Sequence, residues 1–146
     1  MESFVDVAFS LKGKTAPLDH GYSLFGAVSR ILPLIHAKKD WGLFPIHGQQ
    51  TAPGVLTLVA QSLLTIRLPA ACIAEVLSLS GQTLDVAGHS LSVGIPRVFP
   101  LQPRPVLRSR FVTIKKFHEA PAEFASAVRR QLDEVGVGPH VEQLSR

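Results

Sequence analysis

Three histidines and a lysine pair fall within one stretch, Pro17 to Gly48, which reads PLDHGYSLFGAVSRILPLIHAKKDWGLFPIHG. They are His20, His36 and His47, with Lys38 and Lys39. Histidine is the side chain that gives and takes a proton near neutral pH. Beside fixed positive charge it suits acid–base chemistry on an anionic substrate. Metal chemistry fits these residues poorly. The sequence has no HxxxH or HxH spacing and no carboxylate–histidine cluster, so no metal site and no cofactor is expected.

A second feature points to the same kind of substrate. Residues 1–96 carry six basic and six acidic side chains. Residues 97–118 carry Arg97, Arg104, Arg108, Arg110, Lys115 and Lys116 and no acidic residue. Such a local excess fits a surface that faces a polyanion. The alternative is a solvated strand edge, where basic residues discourage aggregation.

These side chains need elements to position them. Residues 4–12 (FVDVAFSLK) alternate, with Val5, Val7, Phe9 and Leu11 on one face, and read as a half-buried strand. Asp19 is the expected N-cap of a helix whose Leu24, Phe25, Val28, Ile31, Leu32 and Ile35 recur at helical spacing. Pro33 should kink or shorten its last turn. On an unbroken helix, His20 and His36 would stand about 24 Å apart, so one of them is expected to act, not both on one phosphate.

Residues 42–46 read as a short strand. Residues 55–68 read as one long strand with a slip in phase near Gln61 and Ser62, a bulge or a hairpin bend. Pro69 opens a helix that stops at Gly81. Residues 83–87 and 90–99 form two arms around Gly88. The order is β-α-β-β-α-β, which predicts an α+β ferredoxin-like domain over residues 1–100. A proline-rich joint follows, with Pro96, Pro100, Pro103 and Pro105. A strand over 106–117 and a helix over 122–135 then begin a second, incomplete ferredoxin-like unit at 106–146.

The remaining composition sets bounds. A chain of 146 residues, 46% hydrophobic and 18% charged, suits one domain or two small ones with a packed core. No apolar run approaches the ~20 residues that span a bilayer, and Glu2 and Asp6 are unlike the start of a signal peptide. Cys72 is the only cysteine, so no disulfide framework is possible within one chain. A cytoplasmic protein with no membrane partner is expected.

Four segments together resemble the CRISPR repeat-processing endoribonucleases of the RAMP superfamily, most nearly their myxobacterial-type variant. They are LDHGYSLFGAVSRILPLIHAKKDWGLFPIHG, TLDVAGHSLSVGIPRVFPL, LRSRFVTIKK and FASAVRRQLDEVGV. The resemblance implies two tandem ferredoxin-like domains and metal-independent cleavage of CRISPR precursor RNA within its repeats. In that reaction the 2′-hydroxyl attacks the neighbouring phosphorus and leaves a 2′,3′-cyclic phosphate. The family also carries a glycine-rich RNA-binding loop near its C-terminus, where this sequence has only Gly136 and Gly138.

The resemblance places a functional histidine at the end of the first helix, which is His36 here. His20 is the second candidate, and helix capping is its alternative role. Lys39 joins them as a catalytic candidate. RNA contacts are expected from Lys38, Arg104, Arg108, Arg110, Lys115, Lys116, Arg129 and Arg130. Ser29 stands where some relatives carry a catalytic tyrosine, Tyr22 is expected to be at least half-buried, and Trp41 is a candidate for base stacking or, equally, for a core or rim position. His47 is expected to line the same cleft, and His89 to sit in a hairpin turn. The implied partners are precursor and mature guide RNA, other subunits of a CRISPR complex, and a second copy of the chain. The rival reading is a non-catalytic RNA-binding or structural RAMP subunit.

Overall fold

The computed structural model describes residues 2–102, 104–106 and 121–134. Strand β1 (Phe4–Lys12) is the centre of a five-stranded sheet. Its alternation holds: Val7 and Phe9 are fully buried, and Val5 and Leu11 pack against the same core. Opposite them, Asp6 and Ser10 lie on the other face, because successive side chains of a strand point to opposite sides.

After the short β2 (Thr15–Pro17) comes helix α1 (Gly21–Ile31). It buries Leu24, Ala27 and Val28. The expected cap at Asp19 is not made: His20 holds the N-cap position, and no side chain caps the helix. β3 (Gly42–Leu43), β4 (Gln49–Ala52), β5 (Val55–Thr57) and β6 (Leu63–Pro69) follow.

The expected long strand over 55–68 is therefore two strands in two sheets. β5 pairs with β2 and β4 in a separate three-stranded sheet, while β6 pairs with β1 and β3. A turn at 59–62 separates them. There the Ser62 hydroxyl accepts the Val59 N–H at 2.9 Å and donates to the His47 carbonyl at 2.6 Å. That local closure replaces the ladder the apolar run suggested.

The helix expected from Pro69 is also shorter. Pro69 still belongs to β6, and α2 proper is only Ile73–Val76, between single 3-10 turns at Ala70–Cys72 and Leu77–Leu79. Val76 and Leu79 are nevertheless fully buried and close the core.

β7 (Thr83–Val86) and β8 (His89–Pro100) form the last hairpin. All neighbouring strands of the large sheet, in the order β3-β6-β1-β8-β7, are antiparallel. Leaving out β7, this is the ferredoxin-like order, with β7 added at the β8 edge. The fold is thus α+β, ferredoxin-like, with its core between the sheet and α1 and α2.

Two prolines assigned to the joint are within this sheet. Pro96 stands opposite Phe9, and Pro100 opposite Val5. β7 pairs with β8 only as far as Ser92, so among the described residues no strand flanks β8 at these prolines on the side away from β1. A residue lacking an N–H is tolerated at such an edge.

The chain divides into two units, Met1–Pro103 and Arg104–Arg146. In the second, α3 (Pro121–Glu134) is described, with Phe124, Val128 and Leu132 half-buried. The strand expected over 106–117 lies outside the described residues, apart from the exposed Val106.

Candidate active site

The histidine–lysine segment is built on the end of α1. Leu32 leaves the helix with φ −123° and ψ 72°, as a residue before proline must to avoid its ring. Pro33–His36 then form one turn of 3-10 helix. Leu32 and Ile35 anchor it, at 3% and 4% exposure. Backbone bonds from Ala37 N–H to the Leu34 carbonyl (3.0 Å) and from Trp41 N–H to the Lys38 carbonyl (3.3 Å) fold the following residues. The helix is therefore interrupted between His20 and His36, as Pro33 implied.

His36 is exposed, and its ring meets the Phe25 ring edge-on, with centroids 5.1 Å apart and planes at 83°. Among the described residues neither of its nitrogens has a hydrogen-bond partner. Lys39 is also exposed and without a partner among them.

Lys38 differs. Its Nζ lies 3.2 Å from Glu75 Oε2 on α2 and 5.1 Å from the centroid of the Trp41 ring. The bond to Glu75 raises the lysine above its ordinary value. Glu75 is held below the ordinary carboxyl value by a hydrogen bond from the Cys72 thiol and by Lys38. Partial burial, together with that same bond, pushes the Cys72 thiol up. The indole Nε1 of Trp41 is buried with no hydrogen-bond partner among the described residues.

His20 has a different environment. It is 4% exposed, with Nδ1 2.8 Å from the Pro17 carbonyl and Nε2 2.8 Å from the Ile46 N–H. Nδ1 therefore carries the proton and donates, while Nε2 accepts, which requires the neutral ring. Neither nitrogen is left for a substrate. The ring ties the end of β2 to the segment after β3, and the His20 carbonyl accepts the Leu24 N–H at 2.7 Å to start α1.

His47 is exposed, with its carbonyl held by Ser62. His89 lies at the β7–β8 turn as expected, 2.9 Å from the Thr15 hydroxyl. Tyr22, expected to be at least half-buried, is 95% exposed in the first turn of α1, because its position points away from the Leu24–Val28 stripe. Ser29 bonds back to the Gly26 carbonyl at 3.0 Å.

Of the expected RNA contacts, Arg104, Arg129 and Arg130 are exposed in the second unit. Arg108, Arg110, Lys115 and Lys116 lie outside the described residues. Phe25 and Glu75 were not singled out by the sequence. Phe25 reads only as one more apolar position of the helix, and nothing in the spacing links residues 38 and 75.

A family model described as Cas6 Crispr matches residues 5–144. The chain is also 38% identical over 134 residues to the CRISPR-associated endonuclease Cas6 of Myxococcus xanthus (strain DK1622). That match takes in 92% of this chain and 57% of the relative, so the chain spans little more than half the length of the curated relative.

Proposed function

We propose a function from one premise: the chain belongs to the Cas6 family of CRISPR proteins. It is an endoribonuclease that binds CRISPR precursor RNA and cuts it within the repeats. The observation that carries this reading is His36. It is an exposed imidazole with no hydrogen-bond partner among the described residues, fixed against Phe25 and three residues from the unpaired Lys39. The endonuclease name of the Myxococcus xanthus relative supports it.

The chemistry follows from what RNA itself supplies. The 2′-hydroxyl loses its proton and its oxygen forms a bond to the adjacent phosphorus. The bond from phosphorus to the 5′ oxygen breaks, and that oxygen takes a proton. The products are a 2′,3′-cyclic phosphate and a free 5′-hydroxyl. His36 carries the proton transfer, and solvent serves the other oxygen. Lys39 stands by the phosphate, where negative charge builds up in the transition state. This step calls on no metal. His20 positions α1 and the Ile46 segment and takes no part in the transfer. Arg104, Arg108, Arg110, Lys115, Lys116, Arg129 and Arg130 hold the RNA backbone.

The test is cleavage of a CRISPR repeat RNA in EDTA. His36→Ala should slow cutting by about 10²–10⁴-fold while repeat binding persists, as expected when one positioned acid or base is removed. Equal cutting by wild type and His36→Ala would sink the assignment. Tight binding with no cutting by either protein would select the non-catalytic RNA-binding reading.

A further inference from the structure

The turn after α1 offers two adjacent ammonium groups in unlike surroundings. Lys38 Nζ is 3.2 Å from the Glu75 carboxylate and lies over the Trp41 ring. Lys39 is exposed, with no partner among the described residues. A cation and an anion in contact nearly cancel at a third charge several ångströms away, so the pair adds little attraction for an anion. The indole covers a further side of the Lys38 ammonium. Moving Lys38 onto a phosphodiester would leave the Glu75 carboxylate uncompensated beside it. An RNA backbone lying against this turn therefore meets one positive charge, not two.

We propose that Glu75 withdraws Lys38 from the RNA, so that Lys39 alone of the lysine pair contacts a backbone phosphate. This rests on the reading that repeat RNA docks at the His36 turn. Lys38 then acts as a tie between the turn and α2, and Glu75 sets how much charge the site presents.

The experiment measures repeat-RNA binding to the full chain between about 50 and 200 mM salt, where affinity reports the number of phosphate contacts. The probe is a CRISPR repeat RNA with a 2′-deoxynucleotide at the cut position, so that binding is read without turnover. Lys39→Ala should weaken binding several-fold and make the slope of log K against log salt shallower by about 0.7–0.9, the value of one contact. Lys38→Ala should leave Kd within about twofold and the slope unchanged, since no contact is lost. Glu75→Gln, close in shape, should tighten binding and steepen the slope by about the same 0.7–0.9 as it frees one cation. That gain should vanish in the Lys38→Ala background.

A merely structural Glu75 would weaken binding without moving the slope, and that result overturns the proposal. So does an equal loss for Lys38→Ala and Lys39→Ala, or no effect from either. The His36→Ala cleavage comparison reports separately on whether the reading beneath it holds. If no variant, wild type included, binds the repeat RNA, both fall together.

Discussion

Two histidines of one short segment have opposite fates, and the difference is hydrogen bonding. His20 uses both ring nitrogens inside the fold, and His36 uses neither among the described residues. Replacing His20 with Ala leaves the buried Ile46 N–H without an acceptor and opens a gap. An unsatisfied buried donor plus the lost packing should cost about 2–4 kcal/mol, read as a lower urea midpoint. A His20→Ala protein of wild-type stability would contradict the positioning role. The Lys38–Glu75 pair has its own pH signature. Glu75 is lowered from 4.5, so its stabilisation is present above the unfolded value and is lost as pH falls through the lower folded one. Lys38 is raised, so its share persists to above 10.5. In Lys38→Ala the Glu75 carboxyl should titrate closer to 4.5 by carbon NMR, with Cys72 still holding it partly down. The lone cysteine and the acid three residues later gave no such hint in the sequence. The link from Glu75 to Lys38 spans 37 positions and exists only once α2 packs beside the turn.

At the scale of elements, the hairpin shows both what a sequence makes legible and where it conceals strain. The expected arms at 83–87 and 90–99 around Gly88 lie within a residue of the observed ends of β7 and β8. The turn between them has Ala87 at φ 50° and Gly88 at φ 86°, closed by the Gly88 N–H to Asp85 Oδ1 at 2.7 Å. A two-residue turn with both central φ values positive favours Asn at the first position, and alanine there is strained by about 1 kcal/mol. Ala87→Asn should therefore raise the melting temperature by about 2–6 °C, and a fall would mean the turn is not of this kind. The run from Val55 to Leu68 misled for a physical reason. VLTLVAQSLLTIRL contains no glycine or proline to mark where the chain leaves one sheet for another. The break is made by the Ser62 hydroxyl, whose partners Val59 and His47 are known only after folding. The helix after Pro69 failed differently: Val76 is buried and Ile73 packs against the core, but Leu77 is exposed, because only a single helical turn forms, flanked by 3-10 turns.

Across the whole molecule, charge separates by position along the chain. In the first unit Arg67 grips Asp6 through two bonds at 2.8 and 2.9 Å, and Arg30 donates to the Asp85 carbonyl at 2.7 Å. These cations are engaged internally. The acid-free stretch 97–118 is where unbalanced positive charge collects. If that stretch tracks the repeat backbone, replacing Arg108 and Arg110 together with Gln should weaken binding to all repeat variants alike. It should also make the salt slope shallower by about 1.4–1.8, two contacts' worth. Loss confined to particular repeat sequences would instead mean that these arginines read bases. The ferredoxin-like order was legible because it rests on local periodicity, whereas the set of free cations was not, since only folding shows which are already paired.

Trp41 is the sole tryptophan of the chain. Its indole packs at the histidine turn, with the Lys38 ammonium over the ring and Nε1 shut away from solvent. Its fluorescence is therefore a built-in optical gauge of this one place. On the proposed function, its emission colour and quenching should follow the Lys38 tie and the arrival of RNA at the turn, in the unlabelled protein and on the timescale of mixing.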